Sequence, residues 1–432
     1  MSATGARTVD PVGGLRPDHL LTAEGLAATG AVGPVEVLVG VPTLNHARSV
    51  VSVLTPLLAG VSRDLGALKS AILVADAGSR DGTLDVVRAF RETVLPPTTV
   101  AVAPCVREAG PPRRGRAILA ILAAARYLAA RAVAVVDADL TSVAPEWVTG
   151  LVDPVLRGDA DYVSPSYTLA AAEGTLTTNL LAPLARALYG RRVQQLAGGC
   201  AGLSARFAGA VLDGDPAETD GADHGVCMRL VIEALAGGYP VTETYLGLKR
   251  VDPVTAPDLT AALMGTVGPL FQLMERHRMA WQATTGSVPV PRRDGLPAAA
   301  PPPAAPSPAE PKVERMVRAF RLGLKDLLPV WSEVMPEETL GQLYPLGVVD
   351  ADEFAFPAPV WARVVSDFAL AYHARSLPRD HLLRALTPLY LGRVAGFLSE
   401  VRGGPTSRIV ERLEALGRAF EAEREYLRAR WR

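Results

Sequence analysis

The stretch from Ala132 to Leu140, AVAVVDADL, constrains the fold more than any other part of the chain. Small and β-branched apolar residues run straight into two carboxylates, Asp137 and Asp139, one residue apart. A continuous apolar run of this kind predicts a strand buried on both faces, as in the middle of a parallel sheet. In open α/β sheets the ligand site lies just past the carboxyl ends of such strands. Two acids placed there are costly unless something cationic meets them. A divalent metal carrying a diphosphate answers that need, because hard cations prefer oxygen ligands and bridge to phosphates. The competing reading is an ordinary strand followed by an acidic loop, since short D-x-D matches are frequent.

The text around this strand repeats its logic. Val35 to Val41 predicts a first strand, followed by the turn Pro42, Thr43, Leu44, Asn45 and a helix from about Ala47. Ala71 to Ala75 predicts a second strand ending at Asp76, and Thr83 opens a helix with Asp81 or Gly82 near its cap. Thr98 to Pro104 predicts a third strand, and PPRRGRAILAILAAARYLAA a basic turn and helix. Strands alternating with helices argue for a mostly parallel, Rossmann-like sheet with right-handed crossovers. Mixed α/β text continues from Trp147 to Gly247, then helical text from about Pro257 to Gln282.

Residues 1–34 are rich in Gly, Ala and Pro and are read as a loose leader; 35–285 form the α/β domain. The segment 286–311, with PAAAPPPAAPSPAEP, is read as an extended linker, and 312–432 as an all-α domain with apolar residues at three- and four-residue spacing. The formal net charge of −1 offers no basic surface for nucleic acid. No signal peptide is expected, and no apolar segment reaches the ~20 residues of a membrane span. Cys105, Cys200 and Cys227 are scattered and lack metal spacing, so free thiols in a cytoplasmic protein are expected. The 432 residues leave the oligomeric state open, self-association into a homo-oligomer included.

Four segments fall at the predicted strand ends: PTLN, DAGSRDGT, PRRG and DADL. In a doubly wound sheet these ends converge on one crevice. Asp76 and the Asn45 amide are placed to accept hydrogen bonds from a base or ribose. Gly78 lets the turn at Ser79 approach closely. Arg114 supplies a planar fork of donors for a diphosphate, with Arg113 and Arg116 nearby. Asp139 is read as the metal ligand, and Asp137 as a ligand of the ribose or of the same metal. His277, His373 and His381 lie in helical text and are read as structural, as are the aromatic residues of the C-terminal helices.

This order of motifs resembles the nucleotide-sugar glycosyltransferases of the GT-A fold over about residues 35–255. More closely, it resembles the glucosyl-3-phosphoglycerate synthase and mannosylglycerate synthase group, whose products include glucosylglycerate- and mannosylglycerate-type compatible solutes. The resemblance implies an α/β GT-A domain followed by a helical C-terminal domain. It implies a retaining transferase moving a sugar from a nucleotide-diphosphate sugar to a small hydroxy acid such as glycerate or phosphoglycerate, with magnesium or manganese as cofactor. Carried onto this chain, the donor site is Pro42, Thr43, Asn45, Asp76, Ser79, Arg114, Gly115, Asp137 and Ala138, and the metal site Asp139 and Asp137. The acceptor site is Thr178, Asn179, Gly198, Gly199 and His224. No catalytic base is implied.

The chain departs from the group at several places. His46 follows Asn45 where the group often has an acid. Cys200 and Cys227 stand where acids are usual, and Val251 where a metal-binding histidine is usual. The basic residues that commonly follow the strand at Tyr162 to Tyr167 are replaced by TLAAAEG. These departures raise an alternative: a degenerate relative that binds a nucleotide sugar, or a partner, without turnover. A dehydrogenase is disfavoured, because PTLNHARS has no G-x-G-x-x-G.

Overall fold

The structure is a computed structural model, and it describes residues 15–96, 98–105, 114–214, 226–253, 258–293 and 313–431. The chain divides into two compact units, Met1–Asp161 with Gly202–Asp223, and Tyr162–Ala201 with His224–Arg432.

The first unit is built on four parallel strands: β1 (Val37–Thr43), β2 (Ser70–Asp76), β3 (Thr99–Pro104) and β4 (Ala132–Val136). Their order across the sheet is β4-β1-β2-β3. Val37 lies opposite both Ser70 and Ala132, and Thr43 opposite Asp76, so the carboxyl ends share one edge. Every residue of β1 and β4 is buried, as the unbroken apolar runs require. The helices of this unit include α1 (Ala23–Val32), α2 (Val50–Asp64), α3 (Thr83–Glu92) and α4 (Arg114–Tyr127). Helix α4 is buried from Gly115 through Ala125, as a helix made of small apolar residues on all faces should be. It reaches β1 at Gly40, where a Cβ would stand 2.2 Å from Cγ2 of Ile121.

Part of the stretch read as a loose leader is ordered. Pro17–Leu20 and α1 are helical, and Leu20 and Leu21 are buried. The Thr22 hydroxyl caps α1 by accepting from Gly25 N, while the Thr22 amide and hydroxyl both donate to Pro104 O. Leu21 forms an antiparallel bridge with Cys105. Gly25 is required here, because a Cβ would lie 2.7 Å from Pro104 O.

The second unit carries β5 (Tyr162–Ser166), β6 (Val241–Tyr245) and β7 (Arg292–Arg293), with β6 parallel to both of the others. Val288–Pro289 pairs with Arg191–Arg192. The first residues of the segment read as a linker are therefore strand, held by backbone donors such as Glu243 N to Pro291 O. Its remainder, 294–311, lies outside the described residues. The C-terminal text is helical as expected, with α5 (Ala182–Tyr189) packed on it from earlier in the unit. The long helices are α6 (Val313–Asp326), α7 (Ala358–Ala374), α8 (Arg379–Val401) and α9 (Thr406–Ala422). The α/β architecture with an all-α C-terminal region is the one the sequence implies.

Aromatic residues fill the helical core, with Phe320, Phe354, Phe356, Trp361 and Tyr390 in edge-on or tilted contact at 5.5–6.4 Å. Charged groups are buried among the helices, Arg186 and Asp367 among them. Arg186 of α5 donates to both oxygens of Glu414, at 2.6 and 3.0 Å, and to Glu421 at 2.9 Å. Gly417 leaves the space, since a Cβ there would meet the guanidinium at 2.5 Å. Asp367 accepts from Thr339 at 2.8 Å and from Tyr426 at 2.5 Å, and burial pushes its carboxyl up to about 6.

Two measurements check this packing. Gly40→Ala drives a methyl into Ile121 and should lower stability by about 1–3 kcal/mol, read as a denaturant midpoint shift. Asp367 has a folded pKa above its unfolded value. Its stabilising contribution is therefore full below pH ~4 and lost as pH rises through about 6, a change on the order of 3 kcal/mol. Asp367→Asn should flatten the pH dependence of unfolding between about pH 4 and 6.

Candidate functional site

At the shared carboxyl edge of β1 and β2 two loops are stitched together. Asp76 ends β2 and is buried. Its Oδ1 accepts from Gly78 N at 2.9 Å and Ser79 N at 2.8 Å. Its Oδ2 accepts from the Ser79 hydroxyl at 2.5 Å and the Thr43 hydroxyl at 3.0 Å. Four donors from the protein itself satisfy this carboxylate, and Gly78 supplies the left-handed turn with φ 107°. Asp76, expected to accept hydrogen bonds from a base or ribose, shapes its own turn in the structure.

Asn45 is left-handed as well, with φ 60°, a conformation that asparagine tolerates. Its amide N donates to Ser79 Oγ at 2.8 Å, and its Oδ1 accepts from Arg80 N at 2.9 Å. Asp81 accepts from Ala47 N at 3.0 Å and from Thr83 N and its hydroxyl. Burial works against the Asp81 charge, but these hydrogen bonds outweigh it and hold its carboxyl below the usual range. His46, in the place where related enzymes often carry an acid, is buried and closes the turn by accepting from Leu44 N at 3.0 Å.

At the end of β4 the second carboxylate is met differently. Asp137 is buried, and Arg114 Nη2 stands 3.1 Å from its Oδ2. Arg114 is the first residue of α4, so helix and strand ends bring this pair together. Ala138 is buried, and its carbonyl accepts from the Ser49 hydroxyl at 2.7 Å. Asp139, two residues past Asp137, is only half-buried, and its carboxylate makes no ion pair with any described residue. Of the neighbouring arginines, Arg116 donates to His19 O at 2.9 Å, while Arg113 lies outside the described residues. Pro42, Thr43 and Gly115 are buried beside these groups. All nine donor residues and Asp139 thus belong to the first unit.

The acceptor residues Thr178, Asn179, Gly198 and Gly199 belong to the second unit, and His224 lies outside the described residues. Thr177–Leu181 form one wide helical turn of the π type, a feature frequent at functional sites. Asn179 is fully buried there; its carbonyl accepts from the Trp361 indole at 2.7 Å and its amide donates to Thr178. It therefore supports the turn, while Thr178 retains an exposed side. Thr175 and Tyr390 share a hydrogen bond of 2.7 Å, so two C-terminal aromatics fix this segment. Gly198 packs on Pro165, where a Cβ would lie 2.3 Å from Cγ, and Gly199 is left-handed with φ 80°. Tyr167 donates to Gly198 O at 2.9 Å and lies 3.2 Å from the buried thiol of Cys200. Lys249, which the motifs did not single out, donates to Ala197 O at 3.1 Å and lies over the Tyr167 ring.

Residues 38–210 match the model of glycosyl transferase family 2. The family read from the motifs and the family matched here agree. No curated protein matches the chain. Among solved structures, glucosyl-3-phosphoglycerate synthase from Mycobacterium tuberculosis in complex with phosphoglyceric acid is 21% identical, covering 58% of this chain and 82% of that chain at a TM-score of 0.42. The same enzyme with Mn2+, uridine diphosphate and phosphoglyceric acid is 22% identical over 59% and 82%, also at 0.42. With Mg2+ and uridine diphosphate it is 22% identical over 57% and 81%, again at 0.42.

The role found for Asp76 has a direct test. Asp76→Ala leaves two backbone amides and two hydroxyls without their acceptor, and should cost about 2–4 kcal/mol of stability in denaturant unfolding. A carboxylate that served only a ligand would leave stability unchanged.

Proposed function

We propose that the chain is a retaining, metal-dependent glycosyltransferase that takes a nucleotide-diphosphate sugar as donor and a small hydroxy acid such as glycerate or phosphoglycerate as acceptor. The observation that carries this reading is the strand-end group Arg114, Asp137 and Asp139, with a fork donor and two carboxylates at the carboxyl edge of parallel strands. The match of residues 38–210 to a glycosyl transferase family supports the same class. The domain division drawn from the sequence, with donor binding in 35–285 and a helical region in 312–432, is part of this proposal.

The donor set suits a hard divalent ion, magnesium or manganese. Asp137 already faces a cation, and Asp139 offers free carboxylate oxygen beside it. Among the described residues no cluster of three metal-binding side chains exists, which suits an ion that keeps several waters and leans on phosphates. Such an ion would offset charge on the departing diphosphate. Arg114 would hold diphosphate oxygens through its planar fork. Thr43, Asn45 and Ser79 would shape the wall against the nucleoside, with Asp76 acting through Ser79 and the turn amides. Thr178 and the Gly198–Gly199 turn would face the acceptor.

Cys200, Cys227 and Val251, in place of the group's acids and histidine, favour one alternative, a relative that binds nucleotide without turnover. Cys200 and Cys227 are buried, and Val251 offers no lone pair. Release of nucleoside diphosphate, across a panel of donors and hydroxy acids, separates the two: acceptor-dependent release above an Asp139→Ala background supports transfer, and its absence supports binding alone. Asp139→Ala should also abolish Mn2+-dependent thermal stabilisation by uridine or guanosine diphosphate while the fold is kept. Unchanged metal-dependent stabilisation in that variant contradicts the site.

A further inference from the structure

Three polar side chains stand in a row across the strands of the second unit. Ser164 of β5 is in register with Glu243 of β6, and Glu243 with Arg292 of β7. Residues in register on neighbouring parallel strands share a face of the sheet. The first two reach the same stretch of chain, just before the Gly198–Gly199 turn. The Ser164 hydroxyl donates to Gln195 O at 2.9 Å, and the Glu243 carboxylate accepts from Gln194 N. Gln194 in turn accepts, through Oε1, from Tyr167 N at 2.7 Å, and the Tyr167 hydroxyl donates to Gly198 O at 2.9 Å. A continuous path of hydrogen bonds thus leads from Glu243 to the turn.

Glu243 is a costly residue for a place inside the sheet. It is buried, and desolvation pushes its carboxyl up to about 6, although the Gln194 amide and Arg292 favour the charge. A carboxyl whose folded pKa lies above its unfolded value lowers stability at neutral pH. A well-packed apolar residue of similar volume often serves a buried position equally well. What an apolar residue cannot do is accept from Gln194 N.

We infer that Glu243 is the positioning residue of the acceptor turn: it fixes Gln194 and, through Gln194 and Tyr167, sets where Gly198 and Gly199 stand. This rests on the reading of that turn as facing the acceptor. Glu243 acts by the reach of its carboxylate oxygen to Gln194 N, and Arg292 supplies the cation beside it. The short strand Arg292–Arg293, in text read as linker, therefore contributes to the same device.

The test reads the turn itself by hydrogen exchange on the full chain, and its consequence by nucleoside diphosphate release across the panel of donors and hydroxy acids. Glu243→Leu fills the space but offers no acceptor. Its amides at 194–199 should exchange about tenfold faster than in the wild type, with the acceptor KM raised about tenfold and the donor KM changed by less than about twofold. Glu243→Gln keeps an acceptor oxygen at the same reach and should stay close to the wild type in both readouts. Glu243→Asp keeps the charge but is one methylene shorter, and should behave like Glu243→Leu. Unchanged exchange and acceptor KM in Glu243→Leu, or a turn as loose in Glu243→Gln as in Glu243→Leu, overturns the inference. If Glu243→Leu does not fold, Glu243→Asp decides in its place, and a turn as protected there as in the wild type overturns it. A wild type that transfers no sugar to any hydroxy acid overturns the acceptor reading instead, and exchange at 194–199 still decides whether Glu243 holds the turn.

Discussion

Two carboxylates at the ends of buried parallel strands have to be satisfied, and the first unit is arranged around the two ways this is done. Asp76 draws four donors from its own turn and from Thr43 on the neighbouring strand. Asp137 draws a guanidinium from the start of α4. A carboxylate saturated by fixed amides and hydroxyls becomes part of the scaffold. One held by a side chain on a long stem stays polar at the mouth of the strand ends.

The second unit shows how polar groups deep in a helical region can hold a loop. Trp361 and Tyr390 belong to the aromatic core, yet each turns its polar atom to the segment Thr175–Asn179. The helical region is therefore more than an appendage, since its packing sets the wide turn on which Thr178 stands. Arg186 ties α5 to α9 through two glutamates, a buried arrangement whose desolvation is offset by bidentate hydrogen bonding.

Much of the first unit was legible in the sequence because its strands are buried on both faces and bear uninterrupted apolar text. Their observed limits fall within a few residues of those expected, and Asp76, Arg114, Asp137 and Asp139 all lie at the expected strand and helix ends. What composition concealed was order in Gly-, Ala- and Pro-rich text. Leu20, Leu21 and the capping Thr22 were the available signals for the N-terminal helices, and the Arg292–Arg293 strand has no periodicity to read at two residues. Side-chain partnership was less legible still. Arg116 reaches back to His19, and Asn179 is buried under Trp361, 182 positions away in the chain. Such contacts depend on tertiary placement, which no local pattern encodes. The donors that satisfy Asp76 were written in order in DAGS, but their convergence on one carboxylate needs the Gly78 turn to be seen.

The central claim is that a divalent ion and a nucleotide diphosphate meet at the end of β4. Anomalous diffraction from crystals grown with Mn2+ and a nucleoside diphosphate tests it most directly. The account predicts a single strong manganese peak within coordination distance, about 2.0–2.6 Å, of Asp139, beside the diphosphate. A peak elsewhere, or a diphosphate bound away from the end of β4, would contradict it.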